Sequence, residues 1–261
     1  MKIKIILSIF ILCILSGCNK EKPESKNIPE NIPSAENNGT LKSELDAKKA
    51  AFENKASEDK KKIYAEGLES LIKSGILNSA KNNGESAPDF KLKNAKGEEV
   101  SLSSYLKKGP VVLTWYRGGW CPYCNITLNR LQKKLPDFKS SGANLIAITP
   151  EIPDSSLSTS EKHGLEFEVL SDPGNKVAKE YGIVFKLTDP VADSYQKGFD
   201  LHSYNGDESN ELPLPATYII DTDGKIVYSF LDADYRNRAE PEDILGALKL
   251  SENLEQLIIE D

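Results

Sequence analysis

Sulfur and histidine are scarce in this chain: its 261 residues include four cysteines, two histidines and one methionine. So few soft or imidazole ligands leave room for at most one site built from them. Positive charge is also in deficit, with 33 Lys and Arg against 40 Asp and Glu and a net charge of -7. An acidic mean field disfavours broad binding to nucleic acid or anionic lipid, and no nucleic-acid partner is expected. Long apolar runs are missing beyond the N-terminus. What remains, 39% hydrophobic and 28% charged residues punctuated by 14 prolines and 17 glycines, suits a soluble globular body.

The N-terminus is the exception. Lys2 and Lys4 precede an apolar run from Ile5 to Leu15, too short to span a bilayer comfortably, and residues 1–17 read as an export signal. The run ends in Leu15-Ser16-Gly17-Cys18 and turns abruptly polar at Asn19-Lys20-Glu21-Lys22. This segment resembles the bacterial lipobox. The resemblance implies cleavage before Cys18, acylation of its sulfur and an extracytoplasmic, membrane-anchored lipoprotein in the cell envelope. Each buried acyl methylene would contribute about 0.8 kcal/mol to that anchor. Cys13 then leaves with the signal and lipid consumes Cys18, so Cys121 and Cys124 alone remain as thiols. Two thiols so close cannot form a distributed disulfide framework. A zinc site would need two more ligands from a chain whose histidines are His163 and His202. A redox pair is the economical reading, with no metal and no cofactor expected.

Residues 18–40 are polar, carry Pro23, Pro29, Pro33 and Gly39, and read as a lipid-anchored flexible tether. Residues 41–83 form a helical arm: Ile63, Leu68, Leu71, Ile72 and Ile76 fall near helical spacing, in two pieces, with Asn82-Asn83-Gly84 as the stop. Residues 84–261 alternate between strand and helix signals. Phe90–Leu92 and Val100–Leu102 suggest a hairpin, while Val111 to Tyr116 and Asn144 to Thr149 read as buried strands. Ile126–Leu135 and Ser155–His163 are helical in pattern. Asp172-Pro173 reads as the capped start of a helix ending at Gly182. Phe185 to Glu211 is a long connection of the kind that covers an active face or merely decorates a surface. Ala216–Ile220 and Ile226–Leu231 flank the turn Asp221–Gly224, and Pro241 starts a last helix. The fold class is α/β: a mixed central sheet flanked by helices, with an N-terminal helical arm.

Trp120-Cys121-Pro122-Tyr123-Cys124 stands where a buried strand meets a helix. Free backbone donors and the helix dipole point there at the first sulfur, and they favour Cys121 as thiolate. The second sulfur lies one turn on, close enough for a disulfide. Pro122 at the helix start loses only a donor that had no partner. His163 and His202 show no spacing to the pair.

Cys121-Pro122-Tyr123-Cys124, with Pro215-Ala216-Thr217-Tyr218-Ile219-Ile220-Asp221 far downstream, resembles the thioredoxin fold. That resemblance implies a cis Pro215 packed against the cysteines. Ala87-Pro88-Asp89-Phe90, Gly97 to Leu106, Trp115 to Cys124 and Ser171-Asp172-Pro173-Gly174 resemble the AhpC/TSA peroxiredoxins, in particular their CxxC-containing peroxiredoxin-like branch. The family motif Pro-x-x-x-Thr-x-x-Cys places the peroxidatic cysteine at Cys124, but Arg117 stands at its proline position and Cys121 at its threonine position. The family's distal arginine falls where this chain has Pro215. Arg117 is the candidate to replace that cation, although arginine at a strand end is more often a surface residue. Trp120 is the aromatic expected to line the site.

The resemblance implies a thiol-dependent peroxidase that reduces hydrogen peroxide or organic hydroperoxides through a dithiol/disulfide cycle and is restored by a thioredoxin-like electron donor. Cys124 is expected to attack peroxide and Cys121 to resolve the sulfenic acid. The competing reading is a thiol-disulfide oxidoreductase acting on exported proteins, with Cys121 as nucleophile.

Overall fold

The computed structural model describes residues 39–259; the segments expected to be an export signal and a tether, with the acylation candidate Cys18, lie up to residue 38 outside the described residues. The sheet is organised around β3 (Val111–Trp115), in which every residue is buried. A β-branched, apolar run of this kind needs both of its faces covered. β4 (Asn144–Thr149) pairs with β3 in parallel, and β5 (Glu168–Ser171) pairs with β4 in the same way. β8 (Thr217–Ile220) lies antiparallel on the other side of β3, followed by its hairpin partner β9 (Ile226–Phe230). β1 (Lys91–Asn94) and β2 (Glu99–Ser101) complete a seven-stranded sheet of order β2-β1-β5-β4-β3-β8-β9.

Period-two alternation divides the core between the two faces. Leu113, Trp115, Ile146, Ile148 and Tyr218 pack with α3 (Leu102–Leu106) and α6 (Lys176–Glu180). Val112, Leu145, Ala147 and Ile219 pack with α1 (Leu41–Lys55), α4 (Pro122–Ser140) and α9 (Pro241–Ile259). The mixed α/β architecture is that expected from the sequence. It sets the cysteines of α4 at the end of the central strand.

The arm forms two helices, α1 and α2 (Glu58–Lys73), with Ser57 accepting from the Lys60 N–H as the second cap. Two free donors at the start of α1, the N–H groups of Leu41 and Lys42, are satisfied by the Glu240 carboxylate. Leu41 and Leu45 then bury against α4. α2 instead reaches α7 (Asp189–Phe199), where the Tyr64 hydroxyl lies 3.2 Å from Ser194 Oγ. Gly67 allows that approach, because a Cβ there would sit 2.7 Å from a Val191 methyl. The arm thus runs from the α4 face to the mouth of the cysteine site.

Three local expectations need correction. Asp172-Pro173 does not open a helix: Gly174 and Asn175 adopt left-handed backbone, at φ 78° and 56°, and α6 begins at Lys176. Asp172 still serves that helix, accepting the N–H groups of Val177 and Ala178 from outside its first turn. The connection from Phe185 to Glu211 is largely structured. β6 (Val184–Lys186) pairs with β7 (Glu211–Pro213), and α7 and α8 (Leu201–Asn205) lie between them. Their apolar faces meet in a third cluster around Val191, Tyr195 and Leu212.

Pro215 is trans, as no cis peptide bond occurs among the described residues. The Ala216 N–H donates to the Leu214 carbonyl at 2.8 Å and closes a tight turn centred on the proline. A ring that holds φ near about -65° suits this inverse γ-turn with the ordinary trans bond.

Candidate active site

The chain leaves β3 through Tyr116–Trp120 and enters α4 with Cys121 at the N-cap, Pro122 in the first turn and Cys124 one turn on. Gly118, at φ 150°, lets this loop fold back: a Cβ there would lie 2.2 Å from the Trp120 indole nitrogen. Both sulfurs are inside the protein, Cys121 being 1% exposed and Cys124 0%. Both are free thiols.

The electrostatics reverse the expectation drawn from the helix cap. The Arg117 N–H and Arg238 Nη2 each lie 3.5 Å from Cys124 Sγ. Burial is the largest single influence on Cys124 and would raise its pKa. It is outweighed by the Cys121 thiol hydrogen bond, the charges of Arg238 and Arg117, and the Arg117 N–H, which together lower it to about 5. Cys121 moves the other way: burial first, then its role as donor to Cys124 and that neighbour's charge, hold it well above the ordinary thiol value. The reduced pair is therefore a Cys124 thiolate beside a protonated Cys121. Two guanidinium groups outweigh one helix terminus, whose field weakens within a turn.

Arg117 is not a surface residue. It is 1% exposed, its Nη2 donates to the Tyr195 hydroxyl at 2.6 Å, and its guanidinium stands 4.0 Å from the Tyr235 ring centroid, with Trp120 and Tyr195 also in cation–π range. Burial opposes its charge, but Tyr195, Cys121, Tyr235 and Cys124 more than compensate and keep it protonated. Trp120 stacks on Phe199 at 4.4 Å between ring centroids.

These rings, with Phe52 and Tyr64 of the arm, wall a cavity of about 700 Å³ whose floor includes Cys121 and Arg117. Of the residues singled out in the sequence, the structure brings Cys121, Cys124, Arg117 and Trp120 together. Pro215 is buried just before β8 and does not line the cavity. Neither histidine lines it; His202 pairs with Asn210. Among the described residues no group of three or more His, Cys, Asp or Glu converges as a metal site.

Sequence reasoning missed Arg238, Tyr235 and Glu151, whereas Tyr195 and Phe199 lie on the connection expected either to cover the active face or to decorate the surface, and both line the cavity. Arg238 supplies the cation for which Pro215 left no counterpart, and it arrives from the segment between β9 and α9, 114 positions from Cys124. No local pattern announces that contact; the nearest signal is the arginine pair Arg236 and Arg238 just before the last helix.

A family model described as "AhpC/TSA family" matches residues 83–229, more than half of the chain. The chain belongs to the AhpC/TSA family. As a member it is a thiol-dependent peroxidase oxidoreductase of the peroxiredoxin kind. Among the curated relatives, chloroplastic peroxiredoxin Q of Triticum aestivum is 31% identical over 181 residues, 69% of this chain and 71% of the relative. The thiol-disulfide oxidoreductase ResA of Bacillus thuringiensis is 25% identical over 145 residues, 55% of this chain and 66% of the relative. The fold is shared with the crystal structure of reduced Plasmodium vivax 2-Cys peroxiredoxin, at TM-score 0.53 and 19% identity over 67% of this chain and 99% of that one. The family model ends before Arg238 and begins at residue 83, beyond the two helices of the arm. Two features that shape this AhpC/TSA site therefore lie outside the matched segment.

Proposed function

We propose that the protein reduces organic hydroperoxides, and hydrogen peroxide more slowly, through a Cys124/Cys121 dithiol cycle. The observation that carries the reading is the buried Cys124 thiolate held by Arg117 and Arg238, with Cys121 one turn before it on the cavity floor. Cys124 attacks the terminal oxygen of ROOH, forming an S–O bond as the O–O bond breaks. One proton converts the departing alkoxide to alcohol, leaving a sulfenic acid on Cys124. The Cys121 thiol then condenses with it, releasing water and forming the disulfide. A thioredoxin-like dithiol donor, itself oxidised, restores the pair.

The cavity favours the organic substrate. Hydrogen peroxide gains nothing from aromatic walls, whereas an alkyl or aryl body buries apolar surface against Phe52, Tyr64 and Trp120. With anaerobically reduced protein in stopped flow, cumene hydroperoxide should react faster than hydrogen peroxide. Tyr64→Ala should lower kcat/KM for cumene hydroperoxide about tenfold and change that for hydrogen peroxide by less than about twofold. Equal losses on both substrates would remove the cavity from the specificity argument.

Exchange with exported protein disulfides is the second reading, and the CxxC spacing and the similarity to ResA favour it. Burial of both sulfurs in the reduced protein weighs against it, since it favours a small hydroperoxide over a folded protein disulfide as the first oxidant. Rapid reduction of a scrambled protein disulfide, with indifference to peroxide, would reverse the order.

The lipobox-like Leu15–Cys18 supports an extracytoplasmic lipoprotein, with Cys18 acylated and residues 18–40 as the tether. Cys18→Ser should move the protein from the membrane to the soluble fraction. A variant that stayed on the membrane after loss of its signal would count against the anchor.

A further inference from the structure

Attack by a thiolate on a hydroperoxide leaves a proton to be found. The products are a sulfenic acid and an alkoxide, and the alkoxide needs a donor at sulfurs that burial withholds from bulk water. Cys121 is a poor source, because its own proton leaves with water in the next step.

A carboxyl group stands behind the cysteine loop. Glu151, just past β4, is fully buried. Its Oε1 accepts the Gly119 N–H at 2.9 Å, and its Oε2 lies 3.4 Å from the Thr149 hydroxyl. The Gly119 carbonyl in turn accepts from Asn125 of α4 at 2.8 Å. Glu151 is thus tied through a single peptide to the segment that runs into Cys121. No lysine, arginine or histidine forms an ion pair with it among the described residues. The titratable groups acting on it are Cys124 and Tyr116. The Tyr116 hydroxyl is buried in contact with Glu151 and Thr149 and feels the charges of both Glu151 and Cys124.

A buried carboxyl without a counter-cation keeps its proton. Burial, the largest influence, together with the Cys124 thiolate, outweighs the hydrogen bonds to Glu151 and raises it to about 7. Oxidation of Cys124 removes the thiolate charge and with it one cause of that rise.

We propose that Glu151 is the proton reservoir of the peroxide step, passing its proton by way of the Tyr116 hydroxyl to the departing alkoxide. The inference rests on the peroxidase reading. Before the step the site holds a thiolate and a carboxylic acid; after it, a sulfenic acid and a carboxylate, so its net charge is unchanged. Condensation with Cys121 releases water and leaves the carboxylate in place. When a donor dithiol reduces the disulfide, the proton freed by the returning thiolate goes back to Glu151. Glu151 acts through Tyr116 and the loop, not by touching the sulfur.

Proton counting tests this. The reduced full-length protein is mixed with one equivalent of hydrogen peroxide in weakly buffered solution containing a pH indicator. Disulfide formation is followed in parallel. Without an internal donor, oxidation of thiolate and thiol to disulfide takes up one proton from solvent. At about pH 6 the wild type should take up clearly less than one, and at about pH 8.5, where Glu151 is already ionised, nearly one. Glu151→Gln should take up one at both. A full proton taken up by the wild type at about pH 6, or identical uptake by both proteins, overturns the proposal. If the variant does not fold, the wild type suffices: its oxidised-minus-reduced infrared spectrum at about pH 6 should lose a carboxylic-acid C=O band. Retention of that band is equally fatal. Failure of peroxide to form the disulfide at all would sink the peroxidase reading instead.

Discussion

Cys124→Ser is expected to lower peroxide reduction on the order of a thousandfold or more, because it removes the group that attacks the O–O bond. Cys121→Ser should behave differently. Its Cys124 thiolate remains beside Arg117 and Arg238 and still reacts once, but no thiol is left to condense with the product. The first variant should give no burst. The second should give one equivalent of sulfenic acid and then stop unless an external thiol is supplied. Mass spectrometry with a sulfenic-acid trap reads both outcomes on the intact proteins. Trapping at Cys121 in the Cys124→Ser protein would reverse the division of labour and restore the assignment that the helix cap alone suggests.

The second large effect belongs to Arg238. Arg238→Met keeps much of the side-chain volume and removes the cation 3.5 Å from Cys124 Sγ. A hydrogen bond to a charged group contributes about 1.5–3 kcal/mol, so the peroxide rate at neutral pH should fall roughly tenfold to a hundredfold. The pH profile should move with it. In the wild type, alkylation of Cys124 should hold its plateau down through the neutral range and fall as pH drops through about 5. In Arg238→Met the fall should begin at higher pH, since the thiolate has lost one of its two cations. An unchanged inflection would mean that Arg117 and the Cys121 thiol suffice.

The same shift has a stability consequence whose sign is definite. Cys124 is depressed in the folded state relative to an ordinary thiol near about 8.5, so the unfolded chain binds more protons at this group. Its contribution to the stability of the reduced protein is complete above the unfolded value and is lost as pH falls through the folded one. Urea unfolding of the reduced wild type against Cys124→Ser, across that range, isolates the contribution from other titrating groups.

The features readable in the sequence are local. Val111 to Trp115 announces a buried strand by its apolar run, Pro122 announces the first turn of a helix, and the cysteine pair falls between them. The break in the arm at Ser57 follows from capping chemistry. Where local signals failed, a competing local geometry had prevailed. Gly174 and Asn175 turn the chain left-handed before α6 begins, and a γ-turn holds Pro215 trans. Period and capping propensity do not register either one.

By itself the sequence determined the strand–cysteine–helix unit, the mixed α/β class and the family, because these rest on nearest neighbours along the chain and on the periodicity of apolar side chains. Which sulfur carries the charge was decided only by the tertiary structure. That choice depends on Arg238 arriving from the segment after β9 and on Arg117 being buried among Trp120, Tyr195 and Tyr235. Coulomb interactions strengthen as water is excluded and act between residues more than a hundred positions apart. Neither the exclusion of water nor the separation in space can be read from the order of residues along the chain.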